Sequence, residues 1–238
     1  MSWTAIIVFM LTPLWLSVVS VALISLVLII TSLRKVPGIG IFFAIAVIIA
    51  ALWITHNPVS LLGFVSPTDW GKTILIALIC SVVIYLFTTL LLEPLLQRWS
   101  GKPLDYSVFK KAQKDWRQLV LLLVVSWLLA AWLEETIFRG FLITEISSWF
   151  HGSLMGILLS ILIGSMIFGL AHTYQGKSGV CSTGFVGAIL AVIFVAGGNN
   201  LWLVIITHGF IDTTSLILMY FKIDQKMVDQ LWKKPKKS

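Results

Sequence analysis

Seven apolar stretches follow one another along the chain, at residues 4–31, 38–55, 73–93, 118–146, 153–172, 183–197 and 201–221, separated by polar connectors. Each is long enough, or nearly so, to cross about 30 Å of hydrocarbon as a helix. Strands of a membrane barrel would show segments of ~10 residues alternating apolar and polar positions, whereas these runs are long and unbroken. The pattern predicts an all-α, polytopic transmembrane bundle of about seven spans, with room for an eighth. The second and sixth stretches are short, so they are tilted, buried or incompletely spanning. The fourth is long enough to project beyond the bilayer, or to break near Gly140 and lie along its surface. The first exceeds the length of a signal-peptide core and is read as a retained helix.

Composition agrees with this reading. Of 238 residues, 58% are hydrophobic and 11% charged, under half the ~25% charged content of soluble domains. An ordinary globular enzyme is thereby excluded. The net charge of +7 raises the question of nucleic acid, but no basic patch interleaved with aromatics exists, and no nucleic-acid partner is expected. The basic residues sit in connectors instead. Arg34 and Lys35 lie in the first; Arg98, Lys102, Lys110, Lys111, Lys114 and Arg117 in the third; Lys177 in the fifth; and six lysines follow residue 221. Fifteen of seventeen basic residues thus fall on one side, which predicts a multi-pass protein of the cell membrane with its C-terminus in the cytoplasm. The polar stretch from Glu93 to Arg117 divides N-terminal spans and connector (1–117) from a core (118–221) and a basic tail (222–238). Cys80 and Cys181 suggest neither a disulfide framework nor a metal knuckle.

Seven residues stand in or beside these spans where lipid disfavours them: Glu134, Glu135, Arg139, Glu145, His172, His208 and Asp212. A charge at the centre of a span costs at least ~2.5–3.5 kcal/mol on insertion scales, so such groups face a cavity or a partner. On a helix Glu135 and Arg139 are i, i+4 and can pair. Glu134 is rotated by ~100° from Glu135 and lacks an obvious local partner. Glu134 lies 18 residues before Gly152 and His172 lies 20 after it. A hairpin turning near Gly152 therefore brings both to nearly the same depth. His208 and Asp212 are again i, i+4. Glu145, eleven residues after Glu134, shares its face and is read as interfacial. Any one of these groups alone could be a satisfied polar knot between helices. Together, a carboxylate with two imidazoles is equipment for activating water and polarising a carbonyl. Neither H-E-x-x-H nor G-x-S-x-G is present. His208, however, lies close to the 197–200 connector. It can join the others only if that connector dips into the membrane or the fourth segment bends at Gly140. A glycine-bearing loop from Thr173 to Gly184 is expected to border the mouth of the cavity.

The set E-E-T-I-F-R-G (134–140), F-G-L-A-H (168–172) and H-G-F-I-D (208–212) resembles the three motifs of the CPBP family. This family, also called Abi, groups CAAX-prenyl endopeptidases with bacteriocin-processing and immunity proteins. The resemblance covers about 118–221, a four-helix catalytic core; the first three segments carry no matching motif. It implies an intramembrane endopeptidase acting on a membrane-associated peptide or protein. Glu134 would be the general base, with His172 helping to activate the water. His208 and Asp212 would stabilise the oxyanion, with Glu135 and Arg139 in support. The family has Asn or Asp at the last position. An ionised Asp cannot donate a hydrogen bond, so Asp212 is expected to orient and charge His208. No cofactor is specified, and the metal question is open, since two His and a Glu could hold zinc with a free position. Two other readings compete: a proton-coupled transporter using the buried Glu and His, and a catalytically idle immunity or scaffold protein. Inverted repeats would favour the transporter, and none is found.

Overall fold

The computed structural model describes residues 12–102 and 115–232. Residues 4–11 of the first stretch, and Lys110, Lys111, Lys114, Lys233, Lys234, Lys236 and Lys237, lie outside the described residues. Eight helices follow in order: α1 Leu14–Leu33, α2 Pro37–Thr55, α3 Trp70–Ser100, α4 Trp116–Ser148, α5 Leu154–Leu170, α6 Gly176–Ala196, α7 Leu201–Tyr220 and α8 Ile223–Trp232. No strand occurs among the described residues. Among the described residues, six helices are long and apolar enough to cross a membrane, and α5 is a shorter apolar helix of 17 residues. With α5 the seven expected segments are all helical, and the protein is a polytopic membrane bundle.

Four of the starts have a side-chain cap. Asp69 accepts from the Lys72 amide at 2.9 Å, and Asp115 accepts from the Arg117 amide at 2.8 Å. Ser153 and Asn200 cap α5 and α7 in the same way, at 3.2 and 3.0 Å, each satisfying an amide that the first helical turn leaves without a partner. Apolar side chains cover the outside: Trp15, Trp53 and Trp70 project at one end of the bundle, and Trp99 and Trp116 at the other. Amphipathic rings at both ends are what the two membrane–water interfaces select.

Three features depart from the sequence-based expectation. The region read as a loop, 173–184, is helical from Gly176, so the sixth span is a full 21-residue helix. Glycines on both helices allow it to pack closely on α5: a Cβ on Gly169 of α5 would lie 2.6 Å from the Val180 carbonyl and 3.1 Å from the Gly184 Cα, and one on Gly187 would lie 2.8 Å from the Phe168 ring. Small residues of this kind let helices approach in lipid. Second, α4 runs unbroken for 33 residues through Gly140, but most of its middle, Ser126–Glu134 and Thr136–Ile143, is π-helical. The wider i→i+5 turns shift the register of its faces. Glu145 consequently turns away from Glu134 and is buried against α1, where Ser17 and Thr12 donate to it. Third, the residues read as a tail include α8. Pro94 has no amide to offer Leu90; the indole N–H of Trp232 on α8 donates to the Leu90 carbonyl at 2.8 Å instead.

The depth of His208 is resolved by the α6–α7 connector and not by a bend in α4. The Leu201 amide donates to the Gly63 carbonyl at 2.9 Å, and the Asn200 side-chain amide donates to the Val65 carbonyl at 3.1 Å. The Val59–Leu62 turn in turn sits on Gly140, eight residues before α4 ends. The connector is thus sunk beside α4 short of its end, and α7, running antiparallel, carries His208 to the level of Glu135. Gly140 permits this approach, because a Cβ there would lie 2.9 Å from the Leu62 carbonyl oxygen. Gly140→Ala is expected to destabilise by about 1–2 kcal/mol, overpacking outweighing the gain in helix propensity. Gly164→Ala, whose Cβ would meet Ile143 at 3.4 Å, is expected to be neutral or stabilising. Thermal unfolding in detergent checks both; equal melting temperatures for the two variants would contradict the role given to Gly140.

Candidate active site

Helices α3, α4, α6 and α7 enclose a cavity of about 240 Å³, and the end of α5 closes one wall. Glu134 from α4, His172 from just past α5, and His208 and Asp212 from α7 all line it. Glu134 and His172 meet as the hairpin geometry predicts, with Oε1 to Nε2 at 3.9 Å, a gap that one water can bridge. The Nδ1 of His172 lies 2.8 Å from the Phe168 carbonyl. A carbonyl only accepts, so Nδ1 carries the proton and the Nε2 lone pair is turned toward Glu134.

Glu135 does not line the cavity; it is fully buried behind it. Its Oε1 accepts from Arg139 Nη1 at 2.8 Å and from His208 Nδ1 at 2.6 Å. Here the structure corrects the sequence reading of Asp212. The group that orients His208 is Glu135, whereas Asp212 Oδ1 stands 3.8 Å from Nε2 and Asp212 Oδ2 accepts from Ser126 Oγ at 2.6 Å. The sequence obscured this because His208 and Asp212 are local neighbours while His208 and Glu135 are 73 residues apart. Arg139 also donates from Nη2 to the Gly187 carbonyl at 2.9 Å. Its guanidinium carbon lies 4.6 Å from the Phe168 ring centroid, a cation–π contact.

Phe168 is the apolar hub of the site, and sequence reasoning used it only as a spacer in a motif. Its ring stands edge-on to Phe138 at 4.7 Å and beside the His172 ring at 4.8 Å. The residues of α3 that line the cavity, Tyr85, Thr88, Thr89 and Glu93, lie outside every motif and gave no signal. Thr88–Leu92 is a second π-helical turn. Tyr174 and Gln175 complete the wall beside His172. Among the described residues, no three His, Cys, Asp or Glu groups are arranged to hold a metal ion.

The bundle and its buried carboxylate–imidazole cavity define a polytopic membrane protein built around a polar centre. Residues 116–214, from the start of α4 to within α7, match the family model described as type II CAAX prenyl endopeptidase Rce1-like. No curated protein and no solved structure matches the chain. The matched segment carries Glu134, His172, His208 and Asp212 together with the Glu135–Arg139 pair.

Because Arg139 and Glu135 are both buried, Arg139→Ala is expected to destabilise by ~3–5 kcal/mol, the cost of leaving one buried partner uncompensated. Thermal unfolding of the detergent-solubilised protein should recover in part in Glu135→Gln/Arg139→Ala. Failure to recover would count against the pairing as the source of the loss.

Proposed function

We propose that this protein is an intramembrane endopeptidase that hydrolyses a peptide bond in a membrane-associated peptide or protein with a water activated by Glu134 and His172. The observation that carries the reading is the convergence of Glu134, His172, His208 and Asp212, from three separate segments, on one cavity inside a membrane bundle. The Rce1-like family match over the same residues supports the reaction class and does not favour a transporter or an idle scaffold.

In the proposed reaction a water held between Glu134 and His172 Nε2 attacks the peptide carbonyl carbon. Glu134 takes one of its protons as the C–O bond forms, and the carbonyl electron pair moves onto oxygen. His208, with Nδ1–H bonded to Glu135, presents Nε2–H to that oxyanion. Asp212 beside it balances the added positive charge. Collapse of the tetrahedral intermediate breaks the C–N bond, and the leaving nitrogen takes its electron pair together with the proton stored on Glu134. An acid and an amine result. Glu135 and Arg139 touch no reacting atom and act as positioning residues through His208 and Phe168.

The orientation we infer places the 34–36, 101–115 and 171–175 connectors and the end of α7 in the cytoplasm, following the basic residues. In a protein lacking Cys80 and Cys181, a membrane-impermeant thiol reagent applied to intact cells should label Ser66→Cys and spare Lys102→Cys. The reverse pattern would invert the topology.

Glu134→Gln should lower peptide hydrolysis by at least ~10²–10⁴-fold, the usual contribution of a general base, while the purified protein keeps its wild-type melting temperature. Near-normal cleavage by this variant, beside an active wild type, would remove Glu134 from the mechanism.

A further inference from the structure

Hydrolysis as proposed above develops a negative charge on the carbonyl oxygen, and preorganised donors aimed at that oxygen are the usual means of holding it. The cavity wall offers few of them. His208 Nε2–H is one. Asp212 beside it has no hydrogen to give when ionised, and its Oδ2 already takes the Ser126 hydroxyl at 2.6 Å. Thr88 and Ser215 donate to backbone carbonyls of their own helices, at 2.9 and 2.8 Å. No Lys or Arg lines the cavity among the described residues.

Tyr174 is placed differently. It lines the same cavity, and its ring lies against that of His172, with centroids 5.6 Å apart. Its oxygen accepts from Gln175 Nε2 at 3.3 Å, and its own hydrogen goes to no group among the described residues. The turn that carries it is braced on both sides. Thr183 Oγ1 donates to Gln175 Oε1 at 3.1 Å, which fixes the amide end that faces Tyr174. The Gln175 backbone amide donates to the His172 carbonyl at 2.9 Å. Thr173 shares a 2.9 Å hydrogen bond with Ser32, buried near the end of α1. A side chain on Gly179 would collide with the Gln175 Cβ, so glycine there makes room for the brace.

We propose that Tyr174, which lies outside the three motifs, is a further catalytic residue: its hydroxyl joins His208 Nε2–H in donating to the carbonyl oxygen of the bond that is cut. The attacking water lies between Glu134 and His172, so the carbonyl it reaches must sit beside His172, where the Tyr174 ring is. The proton stays on Tyr174 throughout. Only the hydrogen bond changes, becoming charge-assisted and stronger as the oxyanion forms. The Gln175 N–H on the Tyr174 oxygen polarises the hydroxyl and makes it a better donor. The role rests on the endopeptidase reading and supplies the donor that Asp212 cannot.

The test follows cleavage of a pool of palmitoylated synthetic peptides by the full-length protein in phosphatidylcholine nanodiscs, read by mass spectrometry. One peptide that the wild type cuts then serves for steady-state kinetics. Tyr174→Phe keeps the ring on His172 and loses only the donor, so its melting temperature should be that of the wild type. Its kcat should fall by about 10²-fold or more, as for loss of one oxyanion donor. KM should stay within about threefold, the pattern of a contact made only in the transition state. Gln175→Leu leaves the hydroxyl but removes its brace, and should lower kcat by about tenfold through misplacement and lost polarisation of the donor. Tyr220→Phe, which loses a hydroxyl outside the cavity, should keep the wild-type kcat. A wild-type kcat in Tyr174→Phe would overturn the donor role. So would a loss confined to KM, which would make the hydroxyl a ground-state contact. If the wild type cuts peptides and Tyr174→Phe is unimpaired, the role of Tyr174 fails and the endopeptidase stands. If the wild type cuts none, the endopeptidase reading fails and takes the donor role with it.

Discussion

One carboxylate oxygen holds the centre of this bundle. Glu135 Oε1 receives Arg139 from its own helix and His208 from α7, and Arg139 passes the connection to the α6 backbone at Gly187. Three helices are thereby set against one another through groups that are almost entirely removed from solvent. A buried charge is tolerable only when it is paired, and Glu135 Oε2 has no partner among the described residues, so the two contacts of Oε1 must hold, which leaves little freedom in how α4, α6 and α7 can pack. The orientation of the His208 ring, and hence the direction of its Nε2, follows from the same oxygen. Stability and site geometry are therefore one property here.

The π-helical stretches work in concert with this constraint. In α4 they sort four charged residues onto separate surroundings: Glu134 faces the cavity, Glu135 and Arg139 face the helices behind it, and Glu145 faces Ser17 on α1 and Thr12 just before it. In α3 the π turn precedes Pro94 and faces the same cavity. π-Bulges are frequent at functional sites, and here both line the polar space. Phe168 fills the space between the buried ion pair and the two imidazoles, which keeps water from reaching Arg139 through the cavity.

Local relations were legible in the sequence. The apolar runs disclosed the spans; the i, i+4 spacing disclosed the Glu135–Arg139 pair; and counting from Gly152 placed Glu134 beside His172. Relations that depend on how distant segments meet were not. The Glu135–His208 bond joins residues 73 positions apart, whereas the nearer Asp212 faces the same ring from 3.8 Å without the orienting hydrogen bond. The 173–184 segment read as a loop because Gly and Ser punctuate chains in water, while in lipid the same residues serve helix contact. The cavity wall from α3 had no motif to announce it. Its Tyr and Thr residues are chemically unremarkable until the fold turns them toward the same space as Glu134.

The placement of Glu135 and Arg139 on one helix also bears on how the protein is made. Helix α4 is synthesised and presented to the membrane before α5 and α7 exist, so neither His172 nor His208 is there to receive its charges. Each isolated charge would oppose insertion by ~2.5–3.5 kcal/mol. Because Arg139 lies one turn from Glu135, the two can neutralise each other within the nascent helix, and only Glu134 must wait for a partner. The local pair makes α4 insertable by itself, and the later arrival of α7 converts a device for entering the bilayer into the scaffold of the site.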